Sequence, residues 1–598
     1  MAPANSVAAG GVLATANSRL PPEHKRYFCN AHCLEQWAFF LQVKESVVNN
    51  SETVCIIGNI YTCCDDMPRA DAAVIEGGAF AFVGSAEAAR AFAPDARVVA
   101  FESGIVLPGF IDGHTHAFGG KMSELYMAHL NEASSLAEYG EIVAQFVAAH
   151  PEYDVYLGMG WSNGMFDDHV PTAQWLDRIE SDKPVIIQSC DWHAYWVNSA
   201  ALRAAHIDRN TASPAGGKIE RDAAGNPNGC LRETAMNLMI PIIPRLTLQQ
   251  YKTAILAVQD MFLRLGITAY MDMVLNFDAS HEVFDAYAAL DAENKLKMDV
   301  FGGYLIDSDD DPDAEIARAC ELRTQCASHR FKLTDIKIFV DGVVEGGTGF
   351  LLEPFETDTS YHGENRWADA ESQKRLQHVI EAANRAGFSV HFHTVGDAAV
   401  TVALDALYAV AQKQGTNFQN PARNALTHLQ MVTPDQIMRL RLQNILAVVN
   451  PYWFYKESGY HEVELHYLGA QRADREYPLR SLLDAGVRVS MASDYPITPD
   501  PNPLLGIQTG ATRSNLAGDP DSQLDPNECA TVEQLIRAAT IDAAYQLKTE
   551  RTMGSIEPHK TANFILLDRD ITTCPPLDIA KARVVKTFVA GKCVYSAT

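Results

Sequence analysis

Residues 107–116 read Leu-Pro-Gly-Phe-Ile-Asp-Gly-His-Thr-His. The apolar start of this stretch predicts a buried strand, and His114 and His116 follow at its end. Side chains at positions i and i+2 of a strand point to the same side. At the C-terminal mouth of a barrel, two such imidazoles can bind one metal ion, since neutral imidazole is a preferred zinc ligand. An isolated His-x-His pair also fits a solvated loop, but the preceding Pro-Gly-Phe-Ile-Asp run favours a metal site.

Downstream of these histidines, strand-like segments alternate with helix-like segments, an order that gives a parallel sheet or barrel. Eight candidate strands indicate a TIM (β/α)8 barrel over 108–554. The predicted strands are Ile105–Ile111, Ile267–Met273, Val300–Leu305, Asp335–Val340, Phe388–His393, Ala425–His428, Leu446–Asn450 and Val487–Ser493. The first gap is too long for one helix, so we expect an inserted subdomain at about 155–245. Insertions of this kind lie on the catalytic face of a barrel.

Short alternating strands occur at both ends of the chain, outside the predicted barrel. Val54–Gly84 contains two such runs around a Gly-Gly hairpin signal, and Asn563–Tyr595 has a similar pattern. We therefore predict that 51–107 and 555–598 together form one small β-sandwich domain.

Residues 1–50 form an N-terminal extension that matches neither domain. Its Cys29, His32 and Cys33 could belong to a metal knuckle. Because a second ligand pair is missing, ordinary thiols on a helix are the more common explanation.

The composition excludes several classes of protein. The chain has 598 residues, 47% of them hydrophobic, and a formal net charge of −27, so it can form a sizeable core but lacks the basic surface that nucleic acids and anionic membranes require. No apolar run reaches the ~20 residues of a membrane span. Its 12 cysteines are scattered, which is typical of reduced intracellular thiols. We expect a cytoplasmic protein with a small-molecule substrate, no nucleic-acid or membrane partner, and a homodimer as the default assembly.

Lys337 lies within the apolar strand segment Ile336-Lys337-Ile338. A buried ammonium is costly unless it is paired or neutral. An ion pair with Asp335 or Asp341 would explain it, and so would a role at a metal site.

Histidines and a carboxylate stand at the ends of other predicted strands. His391 and His393 share one side of the fifth strand, and His393 is the better ligand because it is nearer the mouth. His391 suits a supporting role beside a ligand or a satisfied buried histidine. His428 ends the sixth strand, and Asp494 follows the eighth. A carboxylate there can cap a helix instead, but its place after the last barrel strand favours a catalytic role.

From these residues the chain is identified as resembling the amidohydrolase superfamily, and within it the YtcJ-like (amidohydrolase-3) branch. The resemblance covers about Val54 to Tyr595. Besides Val106–His116 it rests on Gly160-Trp161, Asp191-Trp192-His193, Asn198–Leu202, Ile336–Gly342, His393–Asp397, Ser493–Pro496 and Gly554–Pro558.

The resemblance implies one or two divalent ions per chain, which we expect to be zinc. His114, His116 and Asp494 would hold one ion, and His393 and His428 would hold the second. These ligand types also admit manganese, iron or cobalt.

The resemblance further implies that CO2 carbamylates Lys337, whose new carboxylate bridges the two ions. A mononuclear site with an unmodified lysine is the alternative. Two ions that share a water lower its pKa from 15.7 toward ~7 and present hydroxide to a carbonyl carbon. Asp494 would accept the proton and pass it to the leaving nitrogen.

Aromatic residues provide candidate substrate contacts. Trp161 and Trp192 of the insert could bind substrate, and His193 could act as an acid, base or oxyanion donor. Packing in the core of the insert explains the same residues equally well. Trp453, after the seventh strand, is placed on the catalytic face by barrel geometry.

These features predict a metal-dependent amidohydrolase that cleaves a C–N bond in an amide, formamide or other N-acyl compound. A deaminase, or a hydrolase of esters, lactones or carbamates, could use the same site. A metal-free scaffold protein is a third hypothesis, but it leaves the cluster of buried polar side chains without a purpose.

Overall fold

The computed structural model describes residues 52–131, 133–162, 165–166, 171–190, 194–214, 217–276, 281–415 and 420–597. The predictions for Cys29, His32 and Cys33 lie outside these residues. Among the described residues, the chain divides into two compact units, Phe118–Ala254 and the combination of 52–117 with 255–597.

The larger unit contains a sheet of eight parallel strands, which we number barrel strands 1 to 8 in chain order. They are Phe110–Thr115, Ile267–Asp272, Asp299–Leu305, Phe331–Phe339, Ser389–Thr394, Ala425–His428, Leu446–Val449 and Val489–Met491. Each strand pairs with the next along the chain. Just beyond strands 8 and 1, the Asp494 amide donates to His114 O (2.9 Å) and the His116 amide to Tyr495 O (2.8 Å). The sheet is therefore a nearly closed barrel, which confirms the predicted fold class.

Helices follow the barrel strands, and their starts carry clear capping signals. Asp369 caps the helix after strand 4 by accepting from the amides of Glu371 and Ser372, as short polar side chains do at N-caps. The described α-helices of this unit are Ala86–Phe92, Glu282–Ala292, Pro312–Gln325, Ala370–Arg385, Asp397–Gln414, Pro434–Leu442, Tyr460–Leu468, Ala470–Ala473, Leu479–Asp484, Pro503–Thr512, Val532–Ala538 and Ile541–Gln546. Ala117–Tyr126 and Leu248–Arg264 are helices at the boundaries of the two units.

A second eight-stranded sheet, which we call the terminal sheet, combines both ends of the described chain. Its strands are Val54–Tyr61, Arg69–Glu76, Ala79–Gly84, Arg97–Ala100, Ile105–Pro108, Phe564–Leu567, Val584–Val589 and Lys592–Ser596. Ile105–Pro108 pairs antiparallel with Phe564–Leu567, so that Pro108 lies opposite Phe564. Phe564 is fully buried and stacks on Phe588 at 4.3 Å between ring centroids. The expectation that the two termini share one β-structure is met in this sheet.

The first predicted barrel strand, Ile105–Ile111, is divided between the two sheets. Ile105–Pro108 belongs to the terminal sheet, and barrel strand 1 begins at Phe110. The continuous apolar run hides the division, because strands buried on both faces have no alternating pattern. Gly109 stands at the junction, where an added Cβ would lie 2.4 Å from the side chain of Thr268. Only glycine fits this close approach.

The smaller unit has its own six-stranded sheet. In sheet order the strands are Gly217–Arg221, Pro227–Glu233, Ala194–Val197, Val185–Ser189, Tyr156–Trp161 and Ala128–His129, with helices Leu136–Ala149, Ala173–Asp177 and Ser199–Ala204. The sequence pattern predicts no strands here, because most of these are short and flanked by Gly, Pro and Asn. The unit, Phe118–Ala254, is also longer than the predicted insert at 155–245.

Candidate metal centre

Six side chains with metal-binding chemistry lie at or just after the C-terminal ends of barrel strands. Strand 1 places His114 and His116, strand 4 Lys337, strand 5 His393, strand 6 His428, and strand 8 Asp494. His114, Lys337 and Asp494 are 0% exposed. The barrel gathers residues that are up to 380 positions apart in the sequence, because all parallel strands end at one mouth.

Asp494 is the buried carboxylate of this group. His114 Nε2 lies 3.2 Å and His116 Nε2 3.5 Å from its Oδ1 atom. Neither carboxylate oxygen accepts a hydrogen bond from the described residues. Burying an ionised carboxylate without hydrogen-bond donors costs free energy. A cation bound beside Asp494 would offset this cost.

Other contacts leave one nitrogen of each histidine available. His116 Nδ1 lies 3.3 Å from Met273 O, and His428 Nδ1 lies 3.0 Å from Asn450 Oδ1. Protons donated to these oxygens would leave both Nε2 lone pairs free. In His393 the two ring nitrogens have the opposite roles, because its Nε2 lies 3.0 Å from Gly342 O. Its Nδ1 is then the atom that could coordinate an ion.

Electrostatics keep these imidazoles neutral. Burial, with a smaller contribution from neighbouring positive groups, lowers the pKa of His114, His393 and His428 well below the usual range. Burial also lowers the pKa of His116. Neutral imidazole is the form that binds a metal.

Lys337 forms no ion pair with a carboxylate among the described residues, although the Asp494 carboxylate is near enough to favour its charged form. Its Nζ lies 3.4 Å from His114 Nε2 and 4.9 Å from the centre of the Phe339 ring. Asp341 instead accepts backbone hydrogen bonds from Phe350, Val395 and Gly396. The ion pair with Asp335 or Asp341 is therefore not present. Burial lowers the pKa of Lys337 from 10.5 to about 7.

His391 contacts the centre from behind. Its Nε2 lies 2.9 Å from His114 Nδ1 and also contacts the hydroxyl of Thr427. A hydrogen bond from His114 Nδ1 to His391 would free His114 Nε2. This geometry fits the supporting role expected for His391.

Three buried polar residues support the centre in ways that were not predicted from the sequence. Asn450 orients His428 and donates to Ala492 O at 3.2 Å. Asp112 accepts from the amides of His114 (3.3 Å) and Ser493 (3.0 Å), so it ties strand 1 to strand 8. Asp341 holds the loops after strands 4 and 5. Burial raises the pKa of Asp112 and Asp341 to about 7. The position of these residues at or just after predicted strand ends was the one sequence feature that could have indicated their role.

The aromatic candidates have different surroundings. Trp453 stacks on His428 at 5.6 Å between ring centroids, and its indole donates to Thr498 Oγ1. Trp161 is fully buried and donates to Ile187 O at 2.9 Å, within an apolar cluster of the smaller unit. This burial supports the core interpretation for Trp161. Trp192 and His193 lie outside the described residues.

The donor set fits a divalent ion. One ligand atom from each of His114, His428 and Asp494 lies within 4.8 Å of the others. His116 and His393 are outside this tightest triplet. Imidazole nitrogen with carboxylate oxygen is a donor set that zinc and similar ions accept, and such an ion would satisfy the unpartnered Asp494 oxygens.

A nearly closed parallel barrel with this donor set at its mouth is the architecture of a metal-dependent hydrolase. The chain belongs to the Amidohydrolase family, whose sequence model matches residues 97–595. The predicted resemblance is thus confirmed. No helix in the described ranges is long and apolar enough to cross a membrane.

Two curated relatives illustrate the similarity. The putative amidohydrolase YtcJ of Bacillus subtilis (strain 168) is 27% identical over 546 residues, which cover 90% of this chain and 98% of the relative. N-substituted formamide deformylase of Arthrobacter pascens is 28% identical over 565 residues, covering 92% and 99%. Among solved structures, an uncharacterized metal-dependent hydrolase from Pyrococcus horikoshii OT3 shares the fold, with a TM-score of 0.70, 23% identity and coverage of 88% and 99%.

Proposed function

We propose that this protein is a metal-dependent hydrolase that cleaves the C–N bond of an amide, formamide or other N-acyl compound. The observation that carries the proposal is the buried, unpartnered carboxylate of Asp494 facing neutral imidazoles at the barrel mouth. Similarity to N-substituted formamide deformylase over 92% of the chain supports the choice of bond.

In this proposal, His114, His116 and Asp494 hold one divalent ion, and His393 and His428 hold a second. Zinc is the metal we expect. A divalent ion supplies a coordinated water with a pKa near ~7 and polarises a carbonyl oxygen. The neutral state of the imidazoles and the free nitrogens described above suit these residues to that task.

Asp494 is the proposed proton carrier. Its carboxylate takes a proton from the water that attacks the carbonyl carbon. The proton then passes to the leaving nitrogen as the C–N bond breaks, so the products are a carboxylic acid and an amine. The lack of other hydrogen-bond donors on Asp494 leaves it free to accept this proton.

Lys337 is the proposed bridging group after carbamylation. The neutral amine attacks CO2, an N–C bond forms, and one proton is released, so that an uncharged amine becomes an anionic carbamate. Burial favours this step, because it lowers the pKa of Lys337 to about 7. The alternative remains a mononuclear centre with an unmodified lysine.

Trp453 is the proposed substrate contact. Its ring covers His428, and it is only partly buried, so it offers an apolar wall beside the reacting bond. His193 and Trp192 stay predictions for the smaller unit.

A substrate panel tests the proposal. N-formyl, N-acetyl and N-aryl amides are compared with esters, lactones and aminated heterocycles, with formate or acetate and amine release measured separately from ammonia release. We expect amide turnover that a strong chelator abolishes and that His114→Ala and His116→Ala lose together with bound metal. Ammonia release from heterocycles alone would establish the deaminase alternative. Full turnover after exhaustive metal removal would refute the mechanism.

A further inference from the structure

A second group of potential ligands lies outside the centre just described. His461 and Glu464 occupy one face of helix Tyr460–Leu468, since residues i and i+3 are neighbours on a helix. Glu476 follows the next short helix. One ligand atom from each of these three residues lies within 4.8 Å of the others. We call these three residues the 461 cluster.

Gln430 orients the two carboxylates of the 461 cluster. Its Nε2 donates to Glu476 Oε1 at 2.7 Å and to Glu464 Oε1 at 3.3 Å. Glu464 Oε2 lies 3.3 Å from His461 Nδ1. Glu476 is 0% exposed, yet its Oε2 has no hydrogen-bond partner among the described residues. A fully buried carboxylate oxygen of the 461 cluster thus has no hydrogen-bond donor when Glu464 and Glu476 are both ionised.

Several carboxyl groups crowd around this oxygen, and burial together with the nearby Glu464 carboxylate raises the pKa of Glu476 well above its usual range. Burial raises the pKa of Glu345 and of Glu457 to about 7, and the Glu464 carboxylate adds to both shifts. Within the described ranges, no Lys or Arg forms an ion pair with these glutamates or with Glu476. Arg513 is close, but its guanidinium donates to the backbone carbonyls of Glu476, Tyr477 and Leu524. When these carboxylates are ionised, no Lys or Arg of the described residues is paired with them, so a bound cation would be their counter-ion.

The donor atoms of the 461 cluster indicate which kind of metal ion it would bind. Two carboxylates with one imidazole suit Mn2+, Fe2+ or Zn2+ better than Mg2+ or Ca2+, which prefer oxygen alone. His461 is 9% exposed and Glu476 fully buried, so a bulky organic ammonium has little access. We propose that His461, Glu464 and Glu476 form a second divalent-metal site, separate from the centre of His114, His428 and Asp494. This site does not depend on which bond the enzyme hydrolyses.

Metal counting on the full-length protein tests the site. Wild type and Glu476→Gln, which keeps shape and removes one charge, are chelated, saturated with Mn2+, desalted and analysed by mass spectrometry for metal per chain. We expect about one ion fewer in Glu476→Gln, and the same loss in His461→Asn. The matched control is His466→Ala, an exposed histidine on the same helix, which should keep the wild-type content. Equal ion counts in wild type and Glu476→Gln would overturn the proposal.

A crystal of the wild-type protein soaked in Mn2+ provides a measurement that needs no variant. Anomalous scattering at the manganese edge should give a peak between His461 and Glu476. Absence of that peak overturns the proposal even if both cluster variants fail to fold. Peaks at the barrel mouth are counted separately, so failure here is distinguishable from failure of the proposed catalytic centre.

Discussion

Two residues of the proposed catalytic centre have an uncommon backbone conformation. Asp494 has φ 57° and His428 has φ 76°, in the left-handed region that non-glycine residues seldom occupy. Such conformations cost about 1–3 kcal/mol and persist where the surrounding structure enforces them. Here the Asp494 amide is held by His114 O at 2.9 Å. Both residues lie at or just after the C-terminal ends of barrel strands, beside the other candidate ligands.

Asp494→Asn tests the proton carrier at the residue scale. Asn keeps the size and one coordinating oxygen but cannot accept a proton at neutral pH. We expect metal content largely to survive while kcat falls by ~10²–10⁴, the usual loss for a general acid–base group. Single-turnover rates and metal analysis on the same sample check this. Near-normal turnover at full metal occupancy would exclude Asp494 as the carrier, and His193 would be the next residue to test.

Carbamylation of Lys337 should depend on pH. The pKa of this lysine is lowered to about 7, so the reactive neutral amine predominates above that pH and the ammonium below it. At a fixed concentration of dissolved CO2, reactivation of metal-free enzyme by CO2 and zinc should therefore speed up as pH rises through about 7. A carbamate signal from 13CO2 in NMR spectra should rise in parallel and be absent in Lys337→Ala.

Short carboxylic acids offer a control for this prediction. They can supply the missing carboxylate, so they should partly restore Lys337→Ala. Reactivation that is independent of CO2, or density for an unmodified lysine beside bound metals, would contradict the bridge and leave the mononuclear site.

At the scale of elements, the barrel strands and their end residues were predictable from sequence. Apolar runs followed by His, Lys or Asp, as in Ala425–His428, located the strands and the candidate ligands at their ends. The roles of Asn450 and Asp112 beside the candidate ligands were not predictable from the sequence, because they depend on contacts between strands. The change at Gly109 from the terminal sheet to barrel strand 1 could not be predicted from the sequence either, since both strands that meet there are buried on both faces. The local hydrophobic pattern of a sequence indicates which residues are buried, whereas the pairing of a strand depends on segments that are distant in the sequence.

Because Gly109 lies close to Thr268 where the chain passes from the terminal sheet to the barrel, we expect Gly109→Ala to destabilise the protein. The new Cβ would lie 2.4 Å from atoms of Thr268, a stiff β-branched side chain that is 1% exposed. Overpacking of this kind costs about 1–3 kcal/mol, so the thermal midpoint should fall. The control is Gly119→Ala in helix Ala117–Tyr126, where nothing besides the chain neighbours and the helix's own backbone lies within 4 Å of the added Cβ. Equal midpoints for both variants would contradict the assigned close approach.

At the scale of the whole molecule, the terminal sheet and the barrel form one compact unit. Thr587 of the sheet donates to Leu263 O at 2.7 Å, and the Gly109 amide donates to Asn563 O at 3.0 Å. Apolar side chains from both chain ends share one core around Val106, Phe564 and Phe588. We therefore expect sheet and barrel to unfold together.

Phe564→Ala tests this coupling. Loss of a buried, stacked Phe costs about 3–5 kcal/mol. The transition followed by far-UV circular dichroism and the release of metal from the barrel should both shift to lower temperature. Leu442→Ala, at a side chain 68% exposed, should change neither. If metal release kept its wild-type temperature in Phe564→Ala, the sheet and the barrel would unfold separately.

The pairing of Pro108 with Phe564 has a consequence for biosynthesis. A ribosome adds about 5–20 residues per second, so Ile105–Pro108 waits roughly 25–90 seconds for the strand that covers it. During that time its backbone is an open template for other nascent chains. Yield in the cell should therefore depend on elongation speed and on chaperones that shield this edge, more than on the stability of the finished enzyme.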